Sequence, residues 1–206
     1  MNIPERKNQQ AEKRNLVSSF FVTLLIGVAY QEMVLTVRAS LDREGLTLTT
    51  LLLAAIFLFI SMRFFIGNQL HLLGDSFTRL PGLLWLFDLL VIITQSIVLI
   101  LIGSYSTKIV NDTYKIGFVE YIVALYSIDI IWILSQSIMC KINPKWTREF
   151  IPKGWAILNF ILIISIIAAR MTIKAPYSEI EVILLFIINF MGFIGDVVLI
   201  DYYDAI

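Results

Sequence analysis

The chain carries one cysteine, one histidine and five prolines in 206 residues. A single cysteine, Cys140, excludes an intramolecular disulfide framework and a cysteine-based zinc cluster. It is read as a small apolar filler at the end of an apolar block. A single histidine, His71, leaves too few ligands to specify a metal site, so neither a metal nor a cofactor is expected. None of the prolines falls inside a long apolar block, which argues against the interrupted helices that mark secondary transporters. Phosphate-binding glycine loops, H-E-x-x-H and G-x-S-x-G are missing, and with them the common hydrolytic and nucleotide chemistries. Gly195-Asp196 is only a partial echo of an intramembrane aspartyl protease motif, so no enzyme and no catalytic residue is expected. The formal net charge is zero, the pI is near 6.6 and no basic face stands apart, so no nucleic-acid partner is expected.

What the chain has is hydrocarbon. Fully 58% of its residues are hydrophobic and its mean hydropathy is +0.83, above the roughly 45–50% apolar content of soluble domains. The excess falls in blocks at 16–37, 47–66, 83–104, 118–139, 155–173 and 179–200. Each is near the ~20 residues that cross a bilayer as a helix. Such helices satisfy their own backbone in lipid. The fold class expected is therefore an all-α polytopic membrane bundle of six spans. Residues 1–15 and 201–206 are read as tails flanking one transmembrane domain. The block at 16–37 is longer than a signal-peptide core and lacks a small-x-small site after it, so it is read as a retained first span. Ten of the 16 Lys and Arg residues lie on the side of the two tails, which places both termini in the cytosol. The localisation expected is a bacterial inner membrane, with the lipid bilayer as the chief partner.

Two of the blocks repeat a polar pattern. Asp88, five apolar residues and Thr94-Gln95-Ser96-Ile97 are echoed by Asp129, five apolar residues and Ser135-Gln136-Ser137-Ile138. Seven residues put each Asp and its Gln on one helix face, about 10 Å apart along the axis. Consecutive spans run antiparallel, so Asp88 is expected to meet Gln136, and Asp129 to meet Gln95. An acid at that depth is costly and needs a partner, a proton or a task. These four residues are read as an ion pathway or as an interhelical polar network. Polar contacts of the latter kind hold spans together at roughly 0.6–2 kcal/mol each.

Arg63 and Asp196 lie at a depth similar to Asp88, in different spans. They are expected to form a charge network with it, or the cytosolic mouth of a path. Arg63 and Arg170 are alternatively read as snorkelling to the interface, and Glu120, Glu179 and Glu181 as solvated at span starts. Asn68, His71 and Asp75 recur at helical spacing after Gly67. They are read as the polar face of a short amphipathic helix lying on the cytosolic interface.

In size and span count the chain resembles the small prokaryotic potassium channels built from six-span subunits. Their first span carries a Phe-Ser-Asp signature. Here Arg14-Asn-Leu-Val-Ser-Ser-Phe-Phe-Val-Thr-Leu-Leu25 lacks that aspartate, and no Gly-rich filter follows, so no family is assigned. The function expected is a small homo-oligomeric ion or proton channel using its intramembrane acids. The alternative is a membrane anchor or effector that docks a cytosolic protein partner, for example in bacterial stress signalling or phage defence. It is suggested by the amphipathic stretch, the basic loop between Lys141 and Lys153 and the acidic end Asp201–Asp204. A secondary transporter comes third.

Overall fold

The computed structural model describes residues 3–43, 45–73, 82–110, 117–142, 153–173 and 177–203. Among them are six helices: α1 Ile3–Arg43, α2 Leu48–Leu73, α3 Gly82–Val110, α4 Phe118–Ile142, α5 Lys153–Thr172 and α6 Glu179–Tyr203. All six contain a stretch long and apolar enough to cross a membrane.

Local chemistry sets the ends. Thr47 begins α2, its Oγ1 accepting the Thr50 N–H at 3.2 Å and its carbonyl the Leu51 N–H at 3.1 Å, as a helix cap does. Gly45 turns the chain after α1 with φ of 85°, and its carbonyl accepts from Ser40 Oγ at 2.9 Å. At α4, Glu120 Oε2 reaches back to the Gly117 N–H at 2.7 Å. That is half of a capping box. Glu120 thus has a local task at its span start.

Consecutive helices alternate in direction. Ser40 and Thr50 meet where α1 turns into α2, while Ser19 and Gln69 meet at the other end of the same pair, Ser19 Oγ donating to Gln69 Oε1 at 2.7 Å. The helices pack in the order α1, α3, α4, α5, α6, α2, with α2 closing the ring against α1 and also touching α3. The core comes from apolar residues three or four apart, such as Val22, Ile26, Ala29 and Met33 on α1 and Leu53, Phe57, Ile60 and Phe64 on α2. That spacing stacks side chains on one helix face. The outer faces are apolar too: Leu16, Phe20, Leu83, Ile131, Phe160 and Ile180 are all exposed. Helices apolar all round are a mark of membrane proteins.

Two segments extend helices beyond the apolar blocks. The stretch taken as an N-terminal tail is helical from Ile3 onward and continuous with α1. The stretch taken as a separate interfacial helix continues α2 without a break to Leu73. Gly67 is a point of close approach: a Cβ there would overlap the indole ring of Trp155 on α5. Trp155 is itself buried beside Phe64, ring centroids 6.2 Å apart, and has little room to yield. Gly67→Ala should therefore cost about 1–3 kcal/mol through overpacking. Unfolding followed by helical circular dichroism in detergent would measure it, and a neutral result would show that the α2–α5 contact is loose.

Candidate functional site

Polar side chains that the apolar spans carry singly converge inside the bundle. They lie toward the end where α2, α4 and α6 finish and α3 and α5 begin. Two clusters form there. In the first, Asp88 on α3 is 0% exposed. Its Oδ1 accepts from the indole Nε1 of Trp132 at 3.1 Å and from Gln136 Nε2, both on α4. Its Oδ2 lies 3.1 Å from His71 Nε2 on α2. His71 also meets the Trp132 ring edge-on, centroids 4.8 Å apart.

The second cluster is a line of hydrogen bonds drawing one residue from each of five helices. Asp129 on α4 is 1% exposed. Its Oδ1 accepts from Gln95 Nε2 on α3 at 3.1 Å, and its Oδ2 accepts from Asn159 Nδ2 on α5. Asn159 Oδ1 in turn accepts from Arg63 Nη2 on α2 at 3.0 Å. Arg63 holds Asp196 on α6 through Nε at 2.6 Å and Nη2 at 3.3 Å. Its Cζ lies 5.1 Å from the centroid of the Tyr126 ring, a cation–π geometry. Tyr126 Oη donates to Asn189 Oδ1 at 2.6 Å. Gly192 makes room for the guanidinium, since a Cβ there would come within 3.0 Å of Arg63 Nη1.

Both Asp–Gln contacts expected from the repeated motif are thus present. The third expected grouping is not. Arg63 pairs with Asp196 but reaches Asp129 through Asn159, whereas Asp88 belongs to the other cluster. Arg63 does not snorkel, being 2% exposed and paired. Asn68 is buried and His71 turns inward to Asp88, so neither forms a water-facing stripe. Asp75 lies outside the described residues. Asn159 and Asn189 were not singled out by sequence reasoning. The available signal was simple: a lone amide inside an apolar block is costly unless bonded.

A further ion pair closes the opposite end of the bundle. Arg170 on α5 gives two hydrogen bonds from Nη1 to Glu181 on α6, at 2.7 and 2.9 Å. Glu181 is fully buried and also accepts the Tyr177 N–H. This corrects the reading of Glu181 as solvated and of Arg170 as snorkelling. The pair holds Tyr177 in the left-handed region at φ of 56°, with Arg170 Cζ 5.0 Å from its ring centroid. Burial pushes the Tyr177 hydroxyl above its ordinary range. Because Arg170 keeps some access to water, Glu181→Gln should cost about 2 kcal/mol rather than the full penalty of a stranded buried charge. A chemical-denaturation midpoint would read this loss, and an unchanged midpoint would show that the clamp contributes nothing.

Among the described residues, the second cluster sets two carboxylates, Asp129 and Asp196, against one permanent cation, Arg63, and the first holds the Asp88 carboxylate beside His71. No group of three or more His, Cys, Asp or Glu residues arranged to hold a metal ion occurs among the described residues. No protein-family model, no curated protein and no solved structure matches this chain.

Proposed function

We propose that the chain is an integral membrane protein of a bacterial inner membrane, with both termini in the cytosol, and that it moves an ion by binding it at the buried acids. The bilayer reading rests on six helices of spanning length whose outer faces are largely apolar, while Arg63, Asp88, Gln95, Asp129, Gln136 and Asn159 are buried. The single observation that supports ion movement is the charge imbalance. Among the described residues, two carboxylates, Asp129 and Asp196, share one guanidinium, Arg63, in a setting where an uncompensated charge is expensive. Glue needs no such excess, because the amides and the indole would hold the helices together equally well around neutral partners. The excess negative charge gives the site a reason to take up a cation.

Asp196 and His71 retain side-chain exposures of 16% and 15%, while Asp129 and Asp88 are sealed. This grading supports an entry through Asp196–Arg63 or through His71, with Asp129 and Asp88 as the inner sites. All of these groups belong to one chain, so the site is complete within a subunit and a homo-oligomer would repeat it. Of the features behind the docking alternative, the amphipathic stretch continues α2 as far as Leu73, and residues 143–152 of the basic loop lie outside the described residues. Flux assays on proteoliposomes holding the purified chain test the proposal. The wild type should pass ions down an imposed gradient and Asp129→Asn should not.

A further inference from the structure

The atoms facing the inner carboxylates bear on which ion is bound, granted the reading above that one is bound. Asp129 is met by amide N–H groups on both oxygens, from Gln95 and from Asn159. Asn159 cannot turn over, because its Oδ1 is held by Arg63 Nη2 at 3.0 Å and a guanidinium offers no acceptor. The charged groups around Asp129 are Arg63 from α2 and Asp196 from α6, with Tyr126 on its own helix. Asp88 is met by the Trp132 indole, which can only donate, by Gln136 Nε2 and by His71 Nε2. Hard metal cations need a shell of oxygen ligands in place of their water. At Asp129 the positive ends of N–H dipoles face both oxygens, and they repel a metal ion.

A proton needs only one carboxylate oxygen and one acceptor for the new O–H. That acceptor is at hand. Gln95 Oε1 is buried and has no hydrogen-bond partner among the described residues. Half a turn of the amide would bring it to the place now taken by Nε2.

We infer that the ion bound at this site is a proton, taken up by Asp129, with Gln95 turning to accept the resulting O–H. A hydronium ion gives its proton to the carboxylate, leaving water and a neutral acid, and the Gln95 contact changes from N–H···O⁻ to O–H···O=C. Release reverses both changes. Asn159 is a positioning residue that keeps the second oxygen of Asp129 as an acceptor throughout.

Two measurements on the full chain test this. In proteoliposomes with an entrapped pH dye and a permeant anion to balance charge, proton influx should be unchanged when Na⁺ and K⁺ are replaced by a bulky organic cation. Gln95→Met keeps the shape and removes the acceptor, and should slow influx about tenfold or more. Infrared difference spectra between neutral and acid pH should show a protonated-carboxyl band that is lost in Asp129→Asn and indifferent to Na⁺ or K⁺. That second readout stands even if Gln95→Met folds poorly. The assignment is overturned if influx requires Na⁺ or K⁺, or if either metal ion shifts the Asp129 carboxylate band at fixed pH. Should no ion cross at all, the transport reading falls, and the infrared band alone then decides the proton assignment.

Discussion

Arg63→Met should destabilise the bundle by about 3–5 kcal/mol, the largest loss expected from a single substitution in this chain. Arg63 is 2% exposed and gives hydrogen bonds to both oxygens of Asp196 and to Asn159 Oδ1. Methionine fills much of the space but strands a mostly buried carboxylate and a buried amide oxygen. Most of the cost is the stranded charge rather than the lost attraction, because a buried ion pair barely repays the removal of its partners from water. The double variant Arg63→Met/Asp196→Leu should therefore recover much of the loss. It should stay short of the wild type, since Asn159 Oδ1 would still lack a donor at a cost of about 1–3 kcal/mol. Unfolding midpoints of the two variants in the same detergent decide the matter. A single variant as stable as the double one would mean that water reaches Asp196 freely.

How much of this was legible in the sequence follows from what a sequence encodes. Each apolar block ends at charged or polar residues, and the helix boundaries follow them within a few residues for α4, α5 and α6. The Asp–Gln cross-contacts were legible because a seven-residue spacing keeps two groups on one face, and antiparallel neighbours then meet reciprocally. Depth could be counted along each span, which put Arg63, Asp88 and Asp196 at one level. Direction around the helix could not be counted. Packing puts Arg63 toward α5 and α6, and so joins it to Asn159 and Asp196 instead of Asp88.

The polar stripe of Asn68 and His71 misled for a related reason. A polar face on an apolar helix looks the same whether it meets water or a polar interior. Asn159, unlike Gln95 and Gln136, belongs to no repeated pattern. Its importance comes from standing between a guanidinium and a carboxylate, a relation that exists only in three dimensions.

The second large effect expected is on transport rather than stability. Asp129→Asn removes the titratable oxygen but keeps the shape. Asn159 still donates to the new amide oxygen. Gln95, whose Oε1 has no partner among the described residues, can turn to accept from the new N–H. Every hydrogen bond at the site then has a counterpart, so the variant resembles the protonated acid held permanently. Its stability should match the wild type within about 1 kcal/mol. Its ion flux should nevertheless vanish, because a site that can neither gain nor lose a charge cannot pass one on. Asp129→Leu is a poorer probe, since it would strand the Asn159 and Gln95 donors and mix folding with function.

The measurement that bears most directly on the central claim is therefore the paired one: ion flux and unfolding midpoint of wild type and Asp129→Asn, reconstituted side by side. The account predicts equal midpoints with flux in the wild type and none in the variant. Equal midpoints with equal flux, or no flux in either, would contradict it and leave Asp129 as a contact that joins helices and carries nothing.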